Sequence, residues 1–440
     1  MKKQCKGLSI VGLAILLSGT NLFAQGLDTL WTRTYGGIYW DEGKSVQQTQ
    51  DGGYILAGYT ESFGTMCRDV YLIKTDVQAD TLWTKRYGGI GSDKGYSVQQ
   101  TPDGGYIITG RTTSFGIGSE DVWLIRTDAN GDTIWTRTYG GTSWDGGSSV
   151  CQTSDNGYII VGYTHSFSSG YSDVYLIKTD ANGDTLWTRV YGGTDYDFGC
   201  SVQQTSDGEF IIVGTTLSLG AGKDDVWLIR TDANGDTLWT KTYGGFRLDG
   251  GFSIDLTSDG GYIIAGCTES FGAGEEDAWL IKTDAKGDII WTRTYGGTSY
   301  DCFRSVQQID DGRYIAIGRT ASFGTGYYDV YLIKIGPETG IEEKESFPEY
   351  FLVSQSEPNP FNYRTLLKYK LSQNTRVHIV VYNIFGQQVR TLVSKKQDEG
   401  LYFVLWDGRD DFGRKLRSGV YFCKIQADDC TETKKMILLR

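Results

Sequence analysis

Apolar and polar positions along this chain fall into short strand-like runs, and the pattern returns every 52 residues, with Trp31, Trp83, Trp135, Trp187, Trp239 and Trp291 marking the period. The copies occupy equivalent structural positions, so comparing them within one chain is informative. Each copy holds four runs. They are represented by Ser45 to Thr49, Tyr106 to Gly110, Asp121 to Arg126 and Thr133 to Tyr139. The third, Asp-Val-Trp-Leu-Ile-Arg, is apolar on both faces, which predicts a strand sandwiched between neighbouring sheets.

The punctuation between runs predicts the connections. Asp-Gly or Asp-Asn at Asp51, Asp103, Asp155, Asp207, Asp259 and Asp311 joins the first run to the second. Such pairs favour tight hairpins because the turn needs positive φ. Asn130-Gly131, Asn182-Gly183 and Asn234-Gly235 do the same between the third and fourth runs. Tight hairpins make antiparallel meanders and exclude a parallel β-helix. A four-stranded meander repeated at this spacing is the signature of a propeller blade. An orphan fourth run, Asp28 to Tyr35, precedes the first copy, and the last copy stops after its third run, Asp329 to Lys334. The expectation is therefore a six-bladed β-propeller of four-stranded blades whose ring is closed by the N-terminal strand, leaving no open sheet edge.

Composition agrees with an all-β chain: 60 Gly, 29 Tyr and 12 Trp stand against 5 Pro. The net charge of −12 argues against nucleic acid and anionic lipid, which need a basic face. Met1-Lys2-Lys3, an apolar run from Leu8 to Leu17 and Ala24 before Gln25 read as a secretory signal peptide over residues 1–24. That places the protein outside the cytoplasm, extracellular or on an outer-membrane surface. No later apolar run approaches the roughly 20 residues of a membrane helix, so no transmembrane anchor is expected. Of the 8 cysteines, Cys67, Cys151, Cys200, Cys267 and Cys302 fall at five different phases of the repeat, which implies no shared bridging scheme. Cys423 and Cys430 flank a predicted hairpin turn, where they either pair across it or stand as two unbonded thiols.

Asp41, Asp93, Asp145, Asp197, Asp249 and Asp301 recur in the connection between copies, each four residues before a Ser such as Ser45. The scaffold reading is that each Asp accepts hydrogen bonds from backbone amides and from that Ser, holding adjacent blades in register. The position before each Asp varies: Trp40, Ser92, Trp144, Tyr196, Leu248 and Tyr300. Tyr171, Tyr327 and Tyr328 lie in loops expected at the same end of the blades. Aromatics beside carboxylates suit carbohydrate or protein recognition, so Trp40, Trp144, Tyr196, Tyr300, Asp41 and Asp145 are the candidate ligand-binding residues. The competing reading buries these rings between blades. Asp128 to Asp132 packs oxygen ligands into five residues, but its Asn-Gly supplies a turn and the spacing of a calcium loop is absent. No cofactor is implied, with calcium as the one chemical alternative. His165 reads as an exposed loop residue, and His378 is the only other histidine. No hydrolase elbow, metal-binding His pair or phosphate loop supports an enzyme.

The repeat over residues 26 to 336 resembles those of exported bacterial β-propeller surface proteins. Its Leu-Ile-Lys-Thr-Asp-Ala-Asn-Gly-Asp-Thr-Leu-Trp text is also similar to repeats of pyrroloquinoline-quinone enzymes and, loosely, to the sialidase Asp-box, though neither the adjacent cysteines nor an arginine triad is present. An acidic linker, 337–350, leads to runs that fit a small sandwich over 351–440. Within it Glu357 to Asn362, Tyr382 to Gly386, Trp406-Asp407-Gly408-Arg409, Ser418-Gly419-Val420-Tyr421-Phe422 and Lys434-Lys435-Met436-Ile437-Leu438 resemble the C-terminal sorting domain of type IX secretion and the immunoglobulin-like domain of flagellar hook-capping proteins. The resemblance implies that Trp406, Asp407, Gly408, Gly419, Val420, Tyr421, Lys434 and Lys435 belong to a signal read by secretion machinery.

The expectation is thus a non-enzymatic exported propeller, over 25–336, that binds a protein or glycan and is delivered by its C-terminal domain. The second reading is a glycan-processing hydrolase or lyase that uses acidic loop residues. The two differ in kind: a binder presents an aromatic patch, an enzyme gathers carboxylates with displaced pKa values in one cleft.

Overall fold

The computed structural model describes residues 33–64, 67–220, 222–272, 274–309, 312–324, 327–336, 351–353, 361, 364–371, 374–398, 400–427 and 430–439. The signal peptide, most of the orphan strand, the linker, the Asp311 turn and the 357–360 motif lie outside the described residues. The chain divides into two compact units, Met1–Pro337 and Glu338–Arg440.

The first unit carries five four-stranded antiparallel sheets over 41–87, 93–139, 145–191, 197–243 and 249–295, then a three-stranded sheet over 301–335. These are blades one to six, each a meander with its strands in chain order. The turns form as their residues require. Asp103 accepts from the Gly105 amide (3.3 Å) and the Thr101 hydroxyl (2.6 Å), and Gly104 takes φ 85°. At the third-to-fourth turn, Asp128 Oδ1 accepts from the amides of Asn130 (2.9 Å) and Asp132 (2.8 Å), while the Asp132 carboxylate pairs with Lys85 of the preceding blade. Two of the oxygens considered for calcium, Asp128 Oδ1 and Asp132 Oδ1, are thus engaged in the turn and in an interblade ion pair.

The core lies between the blades. The third strands are buried along their whole length in blades one to five, as Asp121–Thr127 and Asp173–Thr179 illustrate. Ile107, Val122 and Leu124 of blade two, for example, pack on Val150, Tyr158, Ile160 and Ile177 of blade three. The repeated tryptophans belong to the same seam: Trp135 meets Tyr158 of the next blade edge-on at 6.0 Å, as Trp83 meets Tyr106 at 5.8 Å. In blades one to five even the cation near the end of the third strand is buried. Lys282 is fully enclosed, with Nζ 2.8 Å from Asp259 and 2.9 Å from the Thr283 carbonyl. A buried charge is tolerable only when paired and hydrogen-bonded in this way.

Ring closure is not seen among the described residues. Tyr35, the end of the orphan strand, donates from its hydroxyl to Ala79 O (2.6 Å), the position that Tyr87 takes at Gly131 O of the next blade. Its seat on blade one is that of a fourth strand on its neighbour. The faces that closure would join are nevertheless open. Val46 of blade one is 64% exposed whereas its counterpart Val202 is 2% exposed. Val330 of blade six is 77% exposed against 1% for Val70. The interblade seam is therefore formed five times, and its two complementary halves stand uncovered at the ends of the array.

The second unit is an immunoglobulin-like sandwich. One sheet joins Phe351–Val353, Thr365–Leu371 and Gly400–Trp406; the other joins Gln388–Gln397, Thr375–Asn383, Gly419–Ala427 and Cys430–Leu438. Its core centres on Trp406, which packs on Phe361 at 5.4 Å and edge-on to Tyr421 at 5.2 Å. Trp406 Nε1 donates to Arg409 O (3.0 Å), and Asp407 Oδ1 accepts from the Arg409 amide (3.2 Å). The Gly408 carbonyl accepts from the Leu416 amide. Gly419 and Val420 pair with Leu438 and Ile437, while Lys434 and Lys435 lie opposite Cys423 and Phe422. The motif residues thus include the sandwich's own core and register. The same register separates the two cysteines: Cys430 pairs with Ala427, four positions along from Lys434, the partner of Cys423, so the two are not cross-strand neighbours.

Candidate functional site

Each connection between blades is pinned by its recurring aspartate. Asp145 is fully buried; its Oδ2 accepts from the Gly141 amide (2.8 Å) and the Ser166 hydroxyl (2.5 Å), and its Oδ1 accepts from the Thr164 hydroxyl. Asp41 makes the same set with Gly37, Ser62 and Thr60 and is partly buried. The scaffold reading of these carboxylates thus describes their surroundings, with a change of partner: the serine is the one 21 residues on, not four. Ser45 and its equivalents act elsewhere, accepting directly from the next blade, as the Val98 amide donates to Ser45 Oγ at 3.2 Å. Asp145 is thus enclosed, while Asp41, partly exposed, has both oxygens engaged in the same set.

The clamp presents the residue before it. Glu120 pairs with Trp144, Ser172 with Tyr196 and Glu276 with Tyr300 as short parallel bridges, so the two loop classes do meet at one end of the blades. The rings face outward: Trp40 is 62%, Trp144 57%, Tyr196 38% and Tyr300 41% exposed. Only two of the four come together. A groove of about 530 Å³ spans blades two to four, lined by Arg111, Glu120, Trp144, Tyr163, His165 and Phe198 among others. Tyr196 joins it through Phe198, stacked at 6.1 Å, and stacks in turn on Tyr171 at 5.1 Å. Trp40 and Tyr300, at the heads of blades one and six, are not among its walls.

His165 is the residue that sequence reasoning misplaced. It is half-buried and wedged edge-on between Trp144 (5.8 Å) and Tyr163 (5.9 Å), with Tyr196 at 6.5 Å. The floor is polar. Arg111 contacts Glu120 at 2.9 Å and the Tyr163 hydroxyl at 3.0 Å, and that hydroxyl donates to Glu120 at 3.1 Å. Burial pushes the Tyr163 phenol up to about 12, with Arg111 opposing and Glu120 adding to the rise, so it stays a neutral donor at ordinary pH. Gly146 makes the arrangement possible: a Cβ there would meet the Tyr163 ring at 2.7 Å. The groove exists because one blade junction combines a glycine with a tyrosine and an ion pair.

That junction is one of a series. The positions of Arg111, Glu120 and Gly146 are taken by Tyr59, Arg68 and Lys94 between blades one and two, and by Thr215, Asp224 and Gly250 between blades four and five. The signal available in the sequence was this variation at three fixed phases within an otherwise uniform text. Asp224 carries the displaced carboxyl of the series, raised by burial and then by Asp225 and Glu269. It lies outside the aromatic groove.

Residues 364–430 match the FlgD Ig-like domain. A curated relative, "Regulatory protein FlaEY" of Caulobacter vibrioides, is 27% identical over 174 residues, which cover 34% of this chain and 18% of that protein. The chain therefore spans less than a fifth of that relative. Among solved structures, PorZ, a surface component of the type-IX secretion system of Porphyromonas gingivalis, is 10% identical with a TM-score of 0.39, covering 91% of this chain and 51% of that one. An exo-β-1,3-galactanase from Phanerochaete chrysosporium, solved with β-1,3-galactotriose, is 10% identical with a TM-score of 0.33, covering 82% and 97%. No activity is transferred from likeness at this level.

Proposed function

We propose that the repeat unit is an exported, non-enzymatic binding module whose groove between blades two and four takes a glycan, and that the C-terminal unit directs its delivery to the cell surface. One observation carries the binding reading: the exposed indole of Trp144 borders a polar floor of Arg111, Glu120 and the Tyr163 hydroxyl, with the stacked Tyr171, Tyr196 and Phe198 rings beside it. Sugar rings present apolar C–H faces and peripheral hydroxyls, and this combination of stacking surface and hydrogen-bonding groups suits both. The floor holds one carboxylate, already engaged by Arg111 and Tyr163, whereas glycoside hydrolysis ordinarily uses two flanking the bond. That favours binding over hydrolysis. The test is a glycan array probed with the full chain, followed by calorimetry on the sugars retained. Saturable binding without product formation supports the reading; turnover of a retained glycan would establish the glycan-processing alternative.

The delivery reading rests on the basic and apolar N-terminus together with the C-terminal motifs, Trp406-Asp407-Gly408 and Lys434-Lys435 among them. Removing residues 350–440 should leave the protein in the periplasm. Normal arrival at the surface without them would favour the second reading suggested by the FlgD-like match, an assembly module within a larger surface structure.

A further inference from the structure

The junction between blades five and six carries a different chemistry from the others. Cys267 ends the second strand of blade five, Cys302 lies at the start of blade six, and Glu276 sits beside them. The two sulfur atoms and a Glu276 oxygen all lie within 4.8 Å of one another. Cys302 is fully buried and Cys267 is 7% exposed. The corresponding pair two seams earlier, Tyr163 and Phe198, consists of rings packed 5.8 Å apart, so this phase can bring side chains of adjacent blades into contact.

We propose that Cys267 and Cys302 form a disulfide that staples blade six to blade five. Blade six has most to gain from a covalent tie. Its sheet has three described strands, and Val330 and Leu332 of its third strand are 77% and 48% exposed where the earlier blades bury this strand. The bond would close a loop across the seam that holds blade six to the array and so restrict the unfolded chain. The step is a thiol–disulfide exchange with an oxidised dithiol protein or a small disulfide such as oxidised glutathione. One cysteine thiolate attacks the donor disulfide and releases a first donor thiol. The second cysteine then attacks the mixed disulfide and releases the other, so that two protein thiols become one disulfide as the donor is reduced to two thiols.

The surroundings support this chemistry over metal binding. Cys302 is held below the usual thiol range by the hydrogen bond from Cys267, against burial, with help from Arg304 and Arg319. Two guanidinium groups near the sulfurs favour a thiolate and oppose a divalent cation. Glu276 is already paired with Arg319 at 3.8 Å, and three donors fall one short of a closed structural zinc site.

The experiment uses the full chain, exposed to oxidised glutathione, denatured, alkylated and digested with trypsin. The proposal expects peptide 248–282 linked to peptide 294–304, and loss of that species on reduction. It further expects reduction to lower Tm by about 5 °C, and the Cys267→Ser/Cys302→Ser protein to be indifferent to reductant. Quantitative alkylation of both cysteines after oxidant treatment would overturn it, and this readout on the unmodified chain stands even if the double variant folds poorly. Stoichiometric cobalt(II) binding with a thiolate charge-transfer band, lost in Cys302→Ser, would overturn it in favour of a metal site.

Discussion

Gly131 sits at φ 76°, and a Cβ on it would lie 2.8 Å from the ring of Trp83 on the preceding blade. The left-handed conformation alone disfavours any other residue by about 1 kcal/mol, and the ring cannot withdraw from its seam. Gly131→Ala should therefore lose roughly 2 kcal/mol in urea unfolding. Protonation offers a second check at this scale. The Asp51 carboxyl is lowered to about 2, first by the hydrogen bond from Lys74 and then by Thr49. Asp155 and Asp259, which burial would raise, are brought to about 2 by Thr153 and Lys178 and by Lys282 and Thr257. A depressed carboxyl contributes stability above its unfolded value near 3.8, and that contribution disappears as pH falls toward 2. Tm should hold down to about pH 4 and fall steeply below it, and substituting Asp51, Asp155 and Asp259 by Asn should flatten that limb. Residue identity was legible here because Asp-Gly and Asn-Gly leave little conformational choice. His165 was not, because its neighbours Trp144 and Tyr196 come from other segments and no local text announces them.

At the scale of the element, the clamp around Asp145 decides whether the groove is built. Replacing it with Ala strands the Ser166 and Thr164 hydroxyls and the Gly141 amide, which together should cost about 3 kcal/mol. The Trp144 loop should then lose order, visible as a shift in tryptophan emission beyond that caused by Asp93→Ala, whose loop carries Ser92. Strand type and order were readable from the 52-residue text: the third runs are buried on both faces and the hairpins close where Asp-Gly and Asn-Gly stand. The partner of the aspartate was misread because sequence proximity singled out Ser45, whereas the hairpin returns Ser62 to the same place. A strand pairing spans what the primary sequence separates.

At the scale of the whole repeat unit, periodicity announces blades but cannot by itself determine whether the last packs on the first. The seam is a local contact, satisfied five times, and closure depends on the small rotation accumulated at each step. The exposure of Val46 and burial of Val202 give a direct reading of this. Val46→Asp should alter stability by no more than about 0.5 kcal/mol, whereas Val202→Asp should lose about 3 kcal/mol or more. Equal losses at the two positions, measured by urea unfolding, would mean that the end faces meet. The function of the array rests on departures from its symmetry, since uniform positions such as Trp135 and Asp145 are spent on packing and clamps. The groove walled by Trp144, Tyr163, His165 and Phe198 is such a departure. Its most direct test is the affinity of an array-selected glycan for the full chain and for two single variants, Trp144→Ala and Trp40→Ala, by calorimetry. The account predicts at least a tenfold loss for Trp144→Ala, at unchanged Tm, and no loss for Trp40→Ala, whose ring is equally exposed but outside the groove. Undiminished binding by Trp144→Ala, or equal losses in both variants, would contradict it.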